Sequence, residues 1–243
     1  MTESEDLAGR FITAAESIKE SLERQYGQEF NGLGEARRHA HEKKNVIVRR
    51  NEKALKTLEK LRNVMQHSDV IGGKVLATPR EDAVLAIEDI AAKIQDPPQI
   101  RTFMIKNPDV VSPTDSLARA AELVIEKGYS QFPVYQEGKY QGLFTTNALA
   151  RWLSEAMQRE EGILFEENVT VSSITEFAEE HEHPQFFRPT HSAYKVCDLL
   201  SSEKPVPAVL VTTDGEQTGE LQGIVTRFDV PNILRQLTTK FAS

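Results

Sequence analysis

Cysteine occurs once in the 243 residues, at Cys197, so no intramolecular disulfide can form. A lone thiol fits a reducing compartment, and the short apolar helical pattern around Cys197 reads it as a buried structural side chain. Long apolar runs are missing too. None approaches the ~20 residues that a bilayer span requires, which excludes a membrane partner of that kind. The opening MTESEDLAGR is acidic and lacks the basic-then-apolar order of a signal peptide, so the chain is expected to stay in the cytoplasm where it is made. Histidine is scarce. His39 and His41 are two apart on a helical pattern and point to different faces, while His181 and His183 flank an acidic stretch without a second ligand cluster. No metal site is expected from that distribution.

What is present describes a soluble globular chain, with 39% hydrophobic and 27% charged residues. Its length allows one large domain or two small ones, each with its own core. The formal net charge is -8, but the charge is unevenly placed. From Arg37 to Arg62 ten basic residues face three acidic ones, a local +7, while the acidic excess lies elsewhere, notably between Glu155 and Glu182. Such a basic stretch is either a solvated face or a surface for nucleic-acid phosphates, here RNA met through residues 37–67.

Residues 1–96 read as helical. Phe11, Ala14, Ala15, Ile18 and Leu22 recur at three and four residues, and Asn31-Gly32-Leu33-Gly34 reads as a turn. A second long helix is expected from Arg38 to His67, with the β-branched run Val46-Ile47-Val48 as its weak point. Ile71-Gly72-Gly73 would end it. Thr78-Pro79 opens a further helix with proline in its first turn, carrying the stripe Val84, Leu85, Ile87, Ile90, Ala91 and Ile94. Asp96-Pro97-Pro98 cannot continue a helix, because proline lacks the amide donor, and the domain boundary is placed there. Residues 97–243 alternate short β-rich runs with helices, which makes the whole chain an α domain followed by an α/β domain.

The second region repeats itself. Pro113-Thr114-Asp115-Ser116-Leu117 returns as Pro189-Thr190-His191-Ser192-Ala193, and Gly142-Leu143-Phe144-Thr145 as Gly223-Ile224-Val225-Thr226. Within the copies 29 residues separate Pro113 from Gly142 and 34 separate Pro189 from Gly223, and a longer hairpin at Thr212 to Glu220 absorbs most of that difference. An FM lead-in, a P-T-D-S-L helix start, a G-Y-S then P-V strand and a glycine-led turn ending in threonine together resemble the CBS-domain pair, over about 100–154 and 170–240. The resemblance implies two β-α-β-β-α units packed sheet to sheet, with clefts for AMP, ADP, ATP or a related adenosyl ligand acting as a regulator; no other cofactor is required.

A threonine at a strand end, followed three residues later by an aspartate at a helix start, offers a hydroxyl to phosphate and a carboxylate to a ribose diol, with a helix N-terminus behind them. The resemblance implies that a G-hydrophobic-x-Thr-x-x-Asp pattern carries this role, which Gly223, Thr226 and Asp229 match in place, and Arg227 between them is a candidate phosphate partner. The first copy has Ala148 where the carboxylate would stand. One competent cleft is therefore expected, closed by Ser130, Gln131 and Phe132 of the first copy, beside a weak or empty one. The bland alternative is that Asp229 is only a helix cap.

The stretch "LRNVMQHS", residues 61–68, ends the second long helix. On a wheel, Leu55, Leu58, Leu61 and Met65 are assigned to one side, and Arg62, Asn63, Gln66 and His67 to the other. An arginine for charge on phosphorus and a histidine for proton transfer suit metal-free RNA cleavage. The R-N-x-x-x-H helix end resembles the HEPN superfamily, whose members include endoribonucleases that pair this motif across a homodimer. Arg62, Asn63 and His67 would then be catalytic. The alternative is a non-catalytic regulator whose helical domain dimerises or binds a partner or RNA.

Overall fold

Apolar residues at helical spacing fold the first part of the chain into α1 (Glu3–Tyr26), α2 (Leu33–Glu42), α3 (Val46–Arg50), α4 (Glu52–His67) and α5 (Glu81–Gln95). The computed structural model describes residues 3–67, 77–158 and 169–237, with side chains at 6–65, 77–158 and 169–237. The chain divides into two compact units, residues 1–98 with 236–243, and residues 99–235. Among the described residues no helix is long and apolar enough to cross a membrane.

In the helical unit Phe11, Ile18 and Leu22 of α1 are fully buried, as are Val84 and Ile87 of α5. These two helices pack together, and the Arg10 guanidinium clips them by donating through Nε and Nη2 to both oxygens of Glu88 at 2.9 and 2.8 Å. The single helix expected over 38–67 is three helices. Lys44 takes a left-handed φ of 58°, and Asn45 restarts the chain as a cap whose Oδ1 accepts from Val48 N at 3.1 Å. Ile47 and Val48 can then turn into the core on the short α3. The helix after Thr78-Pro79 starts at Glu81 with Arg80 as its cap, so Pro79 precedes it and does not occupy its first turn. The expected stop at Ile71-Gly72-Gly73 lies outside the described residues.

The second unit carries β1 (Ile105–Lys106), α6 (Leu117–Lys127), β2 (Gln131–Gln136), β3 (Lys139–Thr145), α7 (Thr146–Gln158), α8 (Val171–Thr175), β4 (Gln185–Phe187), α9 (Ala193–Leu200), β5 (Ala208–Thr212), β6 (Leu221–Thr226) and α10 (Val230–Leu237). Strands β2 and β3 form one antiparallel sheet, joined through Glu137 and Gly138 with φ of 51° and 75°, both positive as a type I′ hairpin turn requires. The other sheet runs β1-β6-β5-β4, with β4 and β5 parallel across α9. Leu143 of the first sheet packs against Ala208, Leu210 and Ile224 of the second, so the two sheets meet through an apolar layer. Cys197 is buried on α9.

The two copies exchange their lead-ins. Ile100 N and Arg101 N donate to His191 O and Pro189 O at 2.8 and 3.1 Å, while Val171 N and Ser172 N donate to Asp115 O and Pro113 O at 2.9 and 3.0 Å. Each lead-in thus lies on the helix start of the other copy. Strand β1 continues this exchange by pairing with β6, Ile105 opposite Ile224 and Lys106 opposite Gly223.

Candidate functional site

Strand β6 ends at Thr226 and α10 begins after Asp229, so a three-residue turn brings their side chains together. Asp229 Oδ2 accepts from Thr226 N at 2.7 Å and from Thr226 Oγ1 at 2.9 Å. The carboxylate therefore reaches back to the strand end, and both residues remain half-exposed. They line a cavity of about 490 Å³ together with Ser130, Gln131 and Phe132 at the start of β2. Apolar walls come from Ile105, Phe132, Pro133 and Ile224, and two exposed aromatic rings, Tyr129 and Phe228, also line it. The arrangement offers a carboxylate for hydroxyls and an apolar slot with aromatic faces for a flat ring.

Of the residues expected in a nucleotide cleft, Ser130, Gln131, Phe132, Thr226 and Asp229 share this cavity, while Gly223 and Arg227 do not. Gly223 sits under the exchanged lead-in. A Cβ there would stand 2.5 Å from Met104 Sδ and 2.9 Å from Ile105 O, so glycine is what lets β1 approach β6. Arg227 stacks on Phe228, 5.2 Å from the ring centroid, and lines a second cavity of about 440 Å³. The cation on the first cavity is Lys106, with Asn107 beside it. Sequence reading missed Lys106, Tyr129 and Phe228. Only Tyr129 had a signal, its place in G-Y-S; Lys106 becomes part of the cleft through the exchange of lead-ins.

The second cavity is the counterpart of the first, built on Thr145, Thr146 and Asn147 where the first has Thr226 and Phe228. At its helix start Ala148 stands in place of an aspartate, and Ala148 N donates to Thr145 Oγ1 at 3.0 Å.

In the helical unit Arg62 does not share the solvent face assigned to it. It follows Leu55 by seven residues, two helical turns, and so falls about 20° from it, on the stripe that buries Leu55, Leu58 and Met65. Its side chain is 14% exposed and its Nη2 donates to Glu16 Oε1 of α1 at 2.6 Å. Asn63 is exposed, with its Oδ1 3.5 Å from Arg62 Nη1. The side chains of Gln66 and His67 lie outside the described residues.

The basic stretch leading to Arg62 is sorted by burial. Arg37, 6% exposed, donates through Nε to Glu59 at 2.9 Å and pairs through Nη1 with Glu52. Those are the two acidic residues between Lys43 and His67. With both turned inward, Arg49, Arg50, Lys53, Lys56 and Lys60 remain exposed.

Residues 100–155 match the family model for the CBS domain. None of the curated proteins matches the chain. Among solved structures, the CBS-pair protein CBSX2 from Arabidopsis thaliana is 21% identical over 57% of this chain and 95% of its own, with a TM-score of 0.41. CBSX2 in complex with AMP aligns at 22% identity over 57% and 97%, with a TM-score of 0.44. A CBS domain-containing protein from Bacillus anthracis is 20% identical over 59% of this chain and 98% of its own, with a TM-score of 0.44.

Proposed function

We propose that the chain is a regulatory protein that binds one adenine-type nucleotide, AMP, ADP, ATP or a related adenosyl ligand, between its two repeats. The observation that carries the reading is the Thr226–Asp229 pair on the wall of a cavity with an apolar slot. Asp229 would take the ribose diol, Lys106 the phosphate, and the slot beside Phe132 and Pro133 the base. A ligand bound there would favour one arrangement of the two repeats, which is what a regulator needs. Thermal shift with AMP, ATP and S-adenosylmethionine tests it: stabilisation by at least one of them, lost in Asp229→Ala, is expected, and a melting temperature that none of them moves overturns the reading.

The helical unit is read as a binding or assembly element of a cytoplasmic homodimer, with RNA phosphates as the partner of residues 37–67. The inward turn of Glu52 and Glu59 onto Arg37 favours this, since it leaves the outer surface of α3 and α4 cationic on an acidic protein. The endoribonuclease reading uses Arg62, Asn63 and His67. It requires Arg62 to leave Glu16 for a phosphate, at the cost of an unpaired carboxylate on α1. Incubating the full chain with mixed RNA in EDTA separates the two. Retention of intact RNA supports the binding element, whereas cleavage lost in both Arg62→Ala and His67→Ala supports the enzyme.

A further inference from the structure

The two clefts differ by an insertion. Matching backbone bonds place Pro113 against Pro189 and Asp115 against His191, 76 residues apart, while the lead-in residues Ile100 and Val171 are 71 apart. The 71-residue step still holds where Met104 faces Gly223 and Thr175 faces Gly142. By the central bridges, Val111 with Val134 and Phe187 with Val211, the step between Val111 and Phe187 is 76. Five extra residues therefore lie between Thr175 and Phe187, in the stretch that folds the 3-10 turn Glu180–Glu182.

This insert places Glu182 on the second cleft, 3% exposed. Its turn is self-bracing, since Glu182 N donates to Glu179 O at 2.8 Å and Glu179 N donates to Glu182 Oε2 at 3.0 Å. Arg151 of α7 clamps it by donating through Nε to Phe177 O at 2.8 Å and through Nη2 to Glu182 Oε2. Glu182 Oε1 lies 3.5 Å from Thr145 Oγ1, so a carboxylate from the insert stands beside Thr145 as Asp229 stands beside Thr226. The difference is access. Thr145 is 5% exposed and Glu182 3%, whereas Thr226 and Asp229 are half-exposed. Size does not separate the clefts, at about 440 and 490 Å³.

We propose that the insert is a built-in plug whose selecting residue is Glu182, so that the second cleft refuses phosphate-bearing ligands and the chain holds a single nucleotide, in the first cleft. A phosphate entering the second cleft would meet a fixed, nearly buried carboxylate; Arg151 behind it is already paired with that carboxylate, and the arginine on the cleft wall, Arg227, is exposed and so screened by solvent. The proposal rests on the nucleotide reading above.

Calorimetric titration of the full chain with AMP reads the stoichiometry per chain. One site is expected in the unmodified protein, none in Asp229→Ala, and a second, weaker site in Glu182→Gln, where Arg151 keeps its bond to Phe177 O and its pairing with Glu179 but the charge beside Thr145 is gone. Two sites in the unmodified chain, one surviving site in Asp229→Ala, or a folded Glu182→Gln still at one site each overturn the plug. The Asp229→Ala arm stands even if Glu182→Gln fails to fold. Where AMP does not bind the unmodified chain the same titrations are run with ATP and S-adenosylmethionine, and absence of binding by all three sinks the nucleotide reading instead; Glu182→Gln gaining a site in that case still supports the plug, and its gaining none sinks both.

Discussion

The carboxylate of Asp229 is held by the residue three positions before it: Thr226 supplies both its backbone N–H and its hydroxyl to Oδ2, at 2.7 and 2.9 Å. An asparagine at 229 could accept the same two bonds through its amide oxygen while losing the charge that a ribose diol needs. Asp229→Asn is therefore expected to keep the fold and to cost no more than about 1 kcal/mol, the weakening of two bonds whose acceptor loses its charge. AMP affinity is expected to fall by about tenfold or more, the scale of a hydrogen bond to a charged acceptor. Calorimetry and a urea melt on the same preparation check both halves. Unchanged affinity would leave Asp229 as a brace for the turn alone.

Gly223 carries a packing role that its place in a binding motif conceals. A methyl group there meets Met104 and the Ile105 carbonyl below 3.0 Å, and the carbonyl cannot rotate away while β1 pairs with β6. Gly223→Ala is expected to cost about 1–3 kcal/mol, as overpacking does. Gly142→Ala is the control, because its Cβ would meet Thr175 at an ordinary 3.7 Å and should move stability by less than about 0.5 kcal/mol. Chemical denaturation of the two variants measures the difference.

Periodicity and repeats made much of this architecture readable from the sequence. The α1 positions Phe11, Ala14, Ala15, Ile18 and Leu22 are all buried, and Ser116 caps the helix ending at Lys127, because spacing and capping are local properties. The site residues drawn from one motif were less secure. Thr226 and Asp229 face the cleft, but Gly223 and Arg227 belong to the same seven residues and do not, since strand alternation and the turn aim them elsewhere. Lys106 and Glu182 were invisible for a different reason. Each enters the cleft of the other copy through the exchanged lead-ins, a long-range pairing that no local pattern announces. Arg62 was misplaced because a helix of 3.6 residues per turn returns nearly to its start after seven.

Tyr135 and Tyr140 face each other across the β2–β3 hairpin, ring centroids 5.7 Å apart, and neither buried hydroxyl has a partner among the described residues. Burial raises the Tyr135 phenol to about 12 and pushes Tyr140 up as well. The folded state thus favours the neutral phenols. Their contribution is intact below the ordinary value of 10 and is lost as pH rises from there through about 12, where the unfolded chain would already have released the protons. Stability is expected to fall over that window, and Tyr135→Phe should flatten the fall while leaving stability near pH 7 unchanged or up to about 1 kcal/mol higher. Urea melts from pH 8 to 12 give the slope directly.

Arg62 and Glu16 tie α4 to α1, and the guanidinium is largely out of water. Removing the acid strands a nearly buried charge, so Glu16→Gln is expected to cost about 1–3 kcal/mol. Arg62→Met, which fills the same space without charge, should cost less. A catalytic Arg62 makes the opposite demand: freeing it from Glu16 would raise RNA cleavage in EDTA. Cleavage that increases in Glu16→Gln and vanishes in Arg62→Met would turn the helical unit into an enzyme.

Among the described residues the cationic surface of α3 and α4 offers no exposed aromatic ring on which a base could stack; Ile47, Val48, Leu55 and Leu58 are committed to the core, and Val64 is exposed on α4. Under the RNA reading, the contact this surface can make is with the nucleic-acid backbone and not with the bases. Lys53, Lys56 and Lys60 lie on one side of α4 and span about 10 Å at 1.5 Å per residue, long enough to meet more than one phosphate. Binding of this kind releases counterions, so its affinity must fall steeply with salt and depend little on sequence. For duplex RNA measured by fluorescence anisotropy, each lysine that touches a phosphate should contribute about 0.9 to the slope of log K against log salt. Replacing all three by glutamine should flatten the slope by up to about three times that amount without disturbing the fold, because none of them takes part in the Arg37–Glu52–Glu59 cluster. An unchanged slope would mean that the three lysines only solvate α4, and the inward turn of the two glutamates would then serve the core alone.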